Sequence, residues 1–418
     1  MDKIVINGGK PLKGSVKISG AKNAVLPIMA AALLVDGITH VRRVPNLRDT
    51  RTMIKLLEMI GAKVKFKNGD LTIDARGKIN PVAPYELVKT MRASFYVLGP
   101  LVSRCGEAKV SMPGGCAWGP RPVDYHINGL KKLSAKIELE GGYIVARAKR
   151  LIGTTIRFDY PSVGATGNIV MAAVTAEGQT KIENAAREPE IVQLCEFLKA
   201  MGADISGIGT TDIIINGVDI SELTAVEIDV IPDRIEAGTF LIAGAALGEI
   251  TVQDVIPEHL DSVIDKLRET GAIVSSTSSD VTVRKPDIIK PVDMTTAVYP
   301  GFATDLQAQW IALMTIAAGS SVITDTVYHD RFSHIPELIR LGAQIDVENN
   351  VASVTGVKEL KGAPVMSTDI RASASLIIGA LIAEGKTDIS RVYHIDRGYE
   401  NIEEKFRSLG ADMWRESE

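Results

Sequence analysis

Apolar and polar positions along this chain keep two periods in turn, and the alternation between them repeats. The run "MAAALLVDGITHVRRV" opens at helical density with small apolar residues, breaks at a glycine, and continues as a strand-like alternation. The pattern returns as "LGPLVSRCGEAKVSM", "MAAVTAEGQTKIENA", "IAGAALGEITVQDV", "ALMTIAAGSSVITDT" and "IGALIAEGKTDISRV". Its glycines are Gly37, Gly106, Gly178, Gly248, Gly319 and Gly385, spaced by 69, 72, 70, 71 and 66 residues. A second pattern keeps step with the first, an amphipathic helix ending in Gly-Ala before another strand. It reads "LLEMIGAKVKF", "FLKAMGADIS", "KLRETGAIVS", "LIRLGAQIDV" and "KFRSLGADMW", with a weaker copy, "LKKLSAKIEL", in which Ser134 replaces the glycine. Glycine directly after a helix predicts a left-handed C-terminal cap. Together the two patterns predict six α/β units. Six units can close one ring or form two groups of three. Length favours two groups of about 210 residues, each with its own core.

Composition narrows the class. Of 418 residues, 45% are apolar and 23% charged, as in an ordinary globular chain. A net charge of −4 gives no global basic field for nucleic acid or membrane, so any anion must be held by locally clustered cations. The start, "MDKIVINGGK", lacks the apolar run of a signal peptide, and Ala24 to Val35 is too short to span a bilayer. The three cysteines, Cys105, Cys116 and Cys195, have no metal-ligand spacing and read as reduced thiols in a cytoplasmic protein.

Candidate chemistry gathers at the starts of the apolar helices. Lys22, Arg92, Ser162, Arg234 and Arg371 occupy repeat-equivalent points there, and the fifth unit offers Asp305. Free N–H groups and the partial positive charge of a helix start favour an anion. Shared ancestry of the units alone would also keep such residues in step. Arg331 and Arg397 sit in strand-to-helix loops, with Glu188 and Glu190 in the same place of the third unit. Asp305 and Asp369 are the carboxylates nearest the cationic starts and so candidates for a general base. The stretch "MPGGCAWGPRPVD", from Met112 to Asp124, suits neither helix nor strand. It holds Cys116 on a glycine hinge, five residues before Arg121. That thiol reads either as an acid or nucleophile in a lid or as an incidental loop cysteine. No phosphate-binding loop appears: "GALIAEGKT" has five residues between its glycines where the motif needs four. There is no dinucleotide fingerprint, and His329 and His334 alone make no metal cluster, so neither cofactor nor metal is expected.

The motifs "SGAKNAVLPI", "MRASFYVLGPL", "GGCAWGPRPVDYH", "SVGAT", "NAAREPEI", "PDRIEAGTF", "TDLQAQ", "TDIRASASL" and "HIDRGYE", in this order along the whole chain, resemble the enolpyruvyl transferases, in particular those that use UDP-N-acetylglucosamine. The resemblance implies two inside-out α/β barrel domains of three units each, helices inside. The expected domains are 1–20 plus 232–418, and 21–231, with the active site in the cleft between them. It implies phosphoenolpyruvate and UDP-N-acetylglucosamine as substrates, and no metal or organic cofactor. It assigns acid work to Cys116 and the carboxylate beside the attacking hydroxyl to Asp305. Lys22, Arg121 and Arg397 fall to the phosphate of phosphoenolpyruvate, with Arg92 as a helper, and Arg331 and Arg371 to its carboxylate side, where Asp369 lies beside Arg371. Asn23 falls to the sugar, Pro122, Val123, Asp124 and Tyr125 to the uridine side, Ser162, Val163 and Gly164 to the diphosphate, and Val327 to the sugar nucleotide. The loop thiolate is also the family's target for the epoxide fosfomycin. Tyr160 stands where many members carry a basic residue, and Trp118 makes the loop bulkier. Transferases acting on shikimate 3-phosphate share fold and chemistry but lack the cysteine loop and the uridine-side segment.

Overall fold

A computed structural model describes residues 2–112 and 123–417. The chain forms two compact units, Met1–Ser19 with Pro232–Glu418, and Gly20–Ile231. Each has its own apolar core: one gathers Val25, Leu57, Leu98 and Ile169, the other Ile4, Phe240, Trp310 and Ile377.

Each repeat contributes one four-stranded sheet, giving six among the described residues. In the fifth repeat Met294–Thr295 runs parallel to Ser320–Thr324, which pairs antiparallel with Val351–Thr355, which pairs antiparallel with Gln344–Glu348. The other sheets keep this order, and the strand after each repeat glycine takes the second place: Ile38–Arg42, Glu107–Ser111, Gln179–Glu183, Gly248–Gln253, Ser320–Thr324 and Lys386–Ser390.

Three strands are supplied from far away in sequence. Glu227–Asp229, after the third repeat, lies parallel to Ile38–Arg42 of the first. Leu12–Lys17 lies parallel to Gly248–Gln253. Asp2–Asn7 fills the third place of the last sheet, with Ile4 opposite Ile389 on one side and Arg415 on the other. In each unit, a strand from one end of its sequence thus completes a sheet of another repeat.

The helices sort by hydropathy. Lys22–Ala31, Val163–Ala173, Arg234–Leu247, Gln307–Met314 and Ile370–Ile382 are buried along almost their whole length, as is most of Leu98–Cys105. A helix apolar on every side belongs inside a core. Alanine and glycine let these helices approach closely. A Cβ on Gly99 would come within 2.4 Å of the Asn168 carbonyl oxygen. The second helix of each repeat is amphipathic and shows one face to water; Arg48–Ile60, with Met53, Leu56, Leu57 and Ile60 buried, is typical. This is the inside-out arrangement.

All six amphipathic helices end in the same way. The alanine N–H reaches back five residues: Ala62 to Leu57, Ala135 to Leu130, Ala203 to Leu198, Ala272 to Leu267, Ala343 to Leu338 and Ala411 to Phe406. This closing bond forces a positive φ on the residue before the alanine. Gly61, Gly202, Gly271, Gly342 and Gly410 adopt it, and Ser134 does so at φ 70°.

Candidate active site

In the unit formed by residues 1–19 and 232–418, Asp305 lies in the short turn Thr304–Leu306 that leads into the Gln307 helix. Its carboxylate bridges two guanidiniums: Arg331 Nη2 is 2.8 Å from Oδ1 and Arg371 Nη2 is 2.8 Å from Oδ2. The arginine side chains are 11% and 8% exposed and that of Asp305 24%, so the cluster is dry on the cation side and opens at the carboxylate. Burial alone would raise the Asp305 carboxyl. The charges of Arg371 and Arg331, and their hydrogen bonds, outweigh it and hold the group well below the usual carboxylate range.

Each arginine is steadied from behind. Arg331 Nη1 donates to Thr304 Oγ1 at 3.0 Å, and Thr304 Oγ1 donates to Asp325 Oδ2 at 2.7 Å. Asp325 also accepts from Thr296 Oγ1 at 2.8 Å and from the N–H groups of Val327 at 2.9 Å and Tyr328 at 2.8 Å, so it fixes the loop carrying Val327 and Arg331. Arg371 is the second residue of the Ile370 helix, whose N-cap, Asp369, accepts from the Arg371 N–H at 2.8 Å and the Ala372 N–H at 3.2 Å. Asp369 is therefore committed to capping through one oxygen. Its other oxygen accepts from Ser333 and Thr368, each at 3.4 Å. Arg397 ends the turn Val392–Arg397. Gly398 lets that stretch lie against the Arg371 helix, because a Cβ there would come within 2.4 Å of Ile370 Cγ2. Arg234, also at a helix start, stacks over Tyr299 at 5.5 Å.

In the unit 20–231, Lys22 begins its helix with no side-chain cap. An ammonium there opposes the helix dipole. Asp49, in the first turn of Arg48–Ile60, offsets it at 2.9 Å, the two side chains being 11% and 4% exposed. Asn23, the next residue, is half-buried. Arg92 opens the turn Arg92–Val97. Ser162 caps the Val163 helix, its Oγ accepting from the Ala165 N–H at 3.3 Å. The Asp124–Lys132 helix packs beside that start: Tyr125 meets Phe158 edge-on at 5.9 Å, and a Cβ on Gly164 would lie 3.2 Å from His126 Nε2. Val123, Asp124 and Tyr125 and the Ser162–Val163–Gly164 turn are thus neighbours. Cys116, Trp118, Arg121 and Pro122 lie outside the described residues.

Sequence reasoning passed over Asp49, Asp325, Thr304, Gln309 and Tyr399. Tyr399 lies inside the quoted "HIDRGYE", and Thr304 and Gln309 flank Asp305 in "TDLQAQ". Asp49 and Asp325 carried no local signal, because each is defined by partners in other segments.

Comparison with known proteins gives one consistent result. The family described as EPSP synthase (3-phosphoshikimate 1-carboxyvinyltransferase) matches residues 6–406. A UDP-N-acetylglucosamine 1-carboxyvinyltransferase of Chloroherpeton thalassium is 58% identical, covering 100% of this chain and 98% of its own length. One of Myxococcus xanthus is 53% identical, covering 100% of both. Among solved structures, the enolpyruvyl transferase NikO from Streptomyces tendae superposes with a TM-score of 0.90 at 26% identity over 99% of this chain and 98% of its own. EPSP synthase from Acinetobacter baumannii shares the fold, with a TM-score of 0.76 at 19% identity over 100% of both chains.

Proposed function

The chain belongs to the EPSP synthase (3-phosphoshikimate 1-carboxyvinyltransferase) family of enolpyruvyl transferases, and from that membership we infer that it is the enzyme that moves enolpyruvyl from phosphoenolpyruvate to the 3′-hydroxyl of UDP-N-acetylglucosamine, releasing phosphate. The observation that carries the acceptor is identity along the whole chain: 58% to a relative named for UDP-N-acetylglucosamine, against 19% to a solved EPSP synthase. The reading places the protein in the cytoplasm, at the first committed step of peptidoglycan synthesis, and hence in cell-shape maintenance and division.

The chemistry is an addition followed by an elimination. A proton adds to carbon 3 of the enol, the acceptor oxygen adds to carbon 2 and gives up its proton, and the tetrahedral intermediate expels phosphate as carbon 3 loses a proton. Cys116 is proposed as the acid. Asp305, held ionised, is proposed to receive the acceptor's proton. It gains basicity as the substrate's carboxylate takes a share of Arg331 and Arg371, whose paired edges already suit a carboxylate. Lys22, Arg92, Arg121 and Arg397 are proposed for the phosphate, where fixed cations stabilise the charge that leaves. Asn23, Pro122, Val123, Asp124, Tyr125, Ser162, Val163, Gly164 and Val327 are proposed for the sugar nucleotide.

Phosphate release with each acceptor tests the reading. Turnover with UDP-N-acetylglucosamine is expected, and turnover with shikimate 3-phosphate alone would overturn it. Fosfomycin should inactivate the protein by a covalent adduct at Cys116. The alternatives are poor nucleophiles, because burial raises the Cys105 thiol and pushes that of Cys195 up to about 12. An adduct mapped to either of those would remove Cys116 from the role. Cys116→Ser should lose turnover or release product slowly.

A further inference from the structure

Behind Arg371 lies a buried phenol that the reaction scheme above does not use. Tyr399 is 2% exposed. Its hydroxyl is 3.4 Å from Arg371 Nη1, 3.1 Å from Gln309 Nε2 and 2.9 Å from Thr239 Oγ1. Its ring centroid is 5.8 Å from the guanidinium carbon.

Counting protons fixes the direction of these bonds. The guanidinium and the amide nitrogen can only donate. The Thr239 hydroxyl spends its own proton on the Ile235 carbonyl at 2.8 Å. The phenol proton therefore goes to Thr239 Oγ1, and both phenol lone pairs face Arg371 and Gln309. Gln309 Nε2 also reaches Thr239 Oγ1 and the Asp305 carbonyl, each at 3.1 Å. One hydroxyl thus receives Arg371 and the amide that ties back to Asp305. Burial raises the phenol's pKa, which keeps it protonated and the pattern intact.

A guanidinium is a rigid plane, so holding Nη1 fixes the direction of Nη2. Nη2 is the nitrogen that meets Asp305 Oδ2 at 2.8 Å. We propose that Tyr399 is the positioning residue of Arg371: its hydroxyl, oriented by Thr239 and Gln309, sets the guanidinium edge that receives a carboxylate. The proposal rests on the reading of Arg371 as a group for the carboxylate of phosphoenolpyruvate. The matching support of Arg331 is different, running through Thr304 to Asp325.

Tyr399→Phe tests it, because the ring stays over Arg371 and only the oxygen is lost. The expected result is a KM for phosphoenolpyruvate raised about tenfold, as for a lost bond to a charged group. The KM for UDP-N-acetylglucosamine should stay within about twofold of wild type. Thr239→Val removes the acceptor of the phenol proton and should shift the same constant in the same direction by a smaller factor, whereas Thr239→Ser should restore it. These two also serve if Tyr399→Phe fails to fold. A folded Tyr399→Phe protein with an unchanged KM for phosphoenolpyruvate, equal rises in both constants, or Val and Ser variants that behave alike would each overturn the proposal. Calorimetric titration of phosphoenolpyruvate alone reads the same contrast without turnover. Weaker binding there to the Tyr399→Phe variant, in a protein whose wild type uses neither acceptor, would sink the acceptor assignment and uphold the positioning role.

Discussion

At the residue scale, the cluster around Asp305 shows what a buried charge requires. Arg331 and Arg371 carry two positive charges against one carboxylate, and each keeps a neutral oxygen, Thr304 Oγ1 or Tyr399 Oη, on its far side. Truncating Asp305 to alanine should lower stability by about 2–4 kcal/mol, since it leaves two largely buried cations without their shared anion; a shift in the thermal midpoint checks this. The pH dependence belongs to other residues. Asp305 is depressed below its ordinary value, so its contribution is present at neutral pH and is lost only in strong acid, below about pH 4. His126 and His334 act sooner. Burial lowers them to about 3 and about 4; Arg92 adds to the lowering of His126 and Arg331 to that of His334, while Asp369 pulls His334 back up. Below the ordinary histidine value the unfolded chain takes up protons that the folded one refuses. Stability therefore falls as pH drops from about 6.5 to 4.5, by roughly 2–3 kcal/mol for each histidine. A thermal midpoint measured across this range should fall, and His126→Gln should remove about half of the fall. A slope unchanged by the substitution would place the acid sensitivity elsewhere.

At the element scale, the shared helix ending offers an internal comparison. The closing bond from alanine is present in all six repeats, yet only Ser134 makes it without glycine. A side chain at positive φ costs about 1 kcal/mol. Ser134→Gly should therefore stabilise the protein by about 0.5–1 kcal/mol, and Gly61→Ser should cost at least as much, because a Cβ there also comes within 3.1 Å of the Lys78 carbonyl oxygen. Paired thermal melts decide it, and no gain from Ser134→Gly would refute the strain argument. Asn168 plays a different part. It receives the Gly99 N–H at 2.7 Å, donates to the Phe95 carbonyl at 2.9 Å and meets His126 Nδ1 at 3.0 Å, joining three segments of one core. Asn168→Ala would leave all three groups buried without it and should cost about 2–4 kcal/mol.

At the scale of the whole molecule, the two units depend on strands that travel. Deleting residues 2–7 would uncover Lys386–Ser390 on one side and Asp412–Ser417 on the other. Limited proteolysis of that deletion should give early cuts within 232–418 while 20–231 stays protected, and equal protection of both would show that the strand is dispensable. Whereas the burial of the apolar helices was an expectation of the family resemblance, the repeats, the glycine breaks and the left-handed helix ends were all legible in the sequence. Each is written into a short window, by hydrophobic period or by one residue's backbone freedom. The motifs also marked Lys22, Asp305, Arg331 and Arg371 as candidates. What they could not give was pairing. That Lys22 meets Asp49, that Asp305 joins Arg331 to Arg371, that Tyr399 backs Arg371 and that Asp2–Asn7 lies beside Asp412–Ser417 are decided by the packed chain. A residue's period reports which way it faces, whereas its partner is set by where a distant segment comes to rest, and only the folded core fixes that.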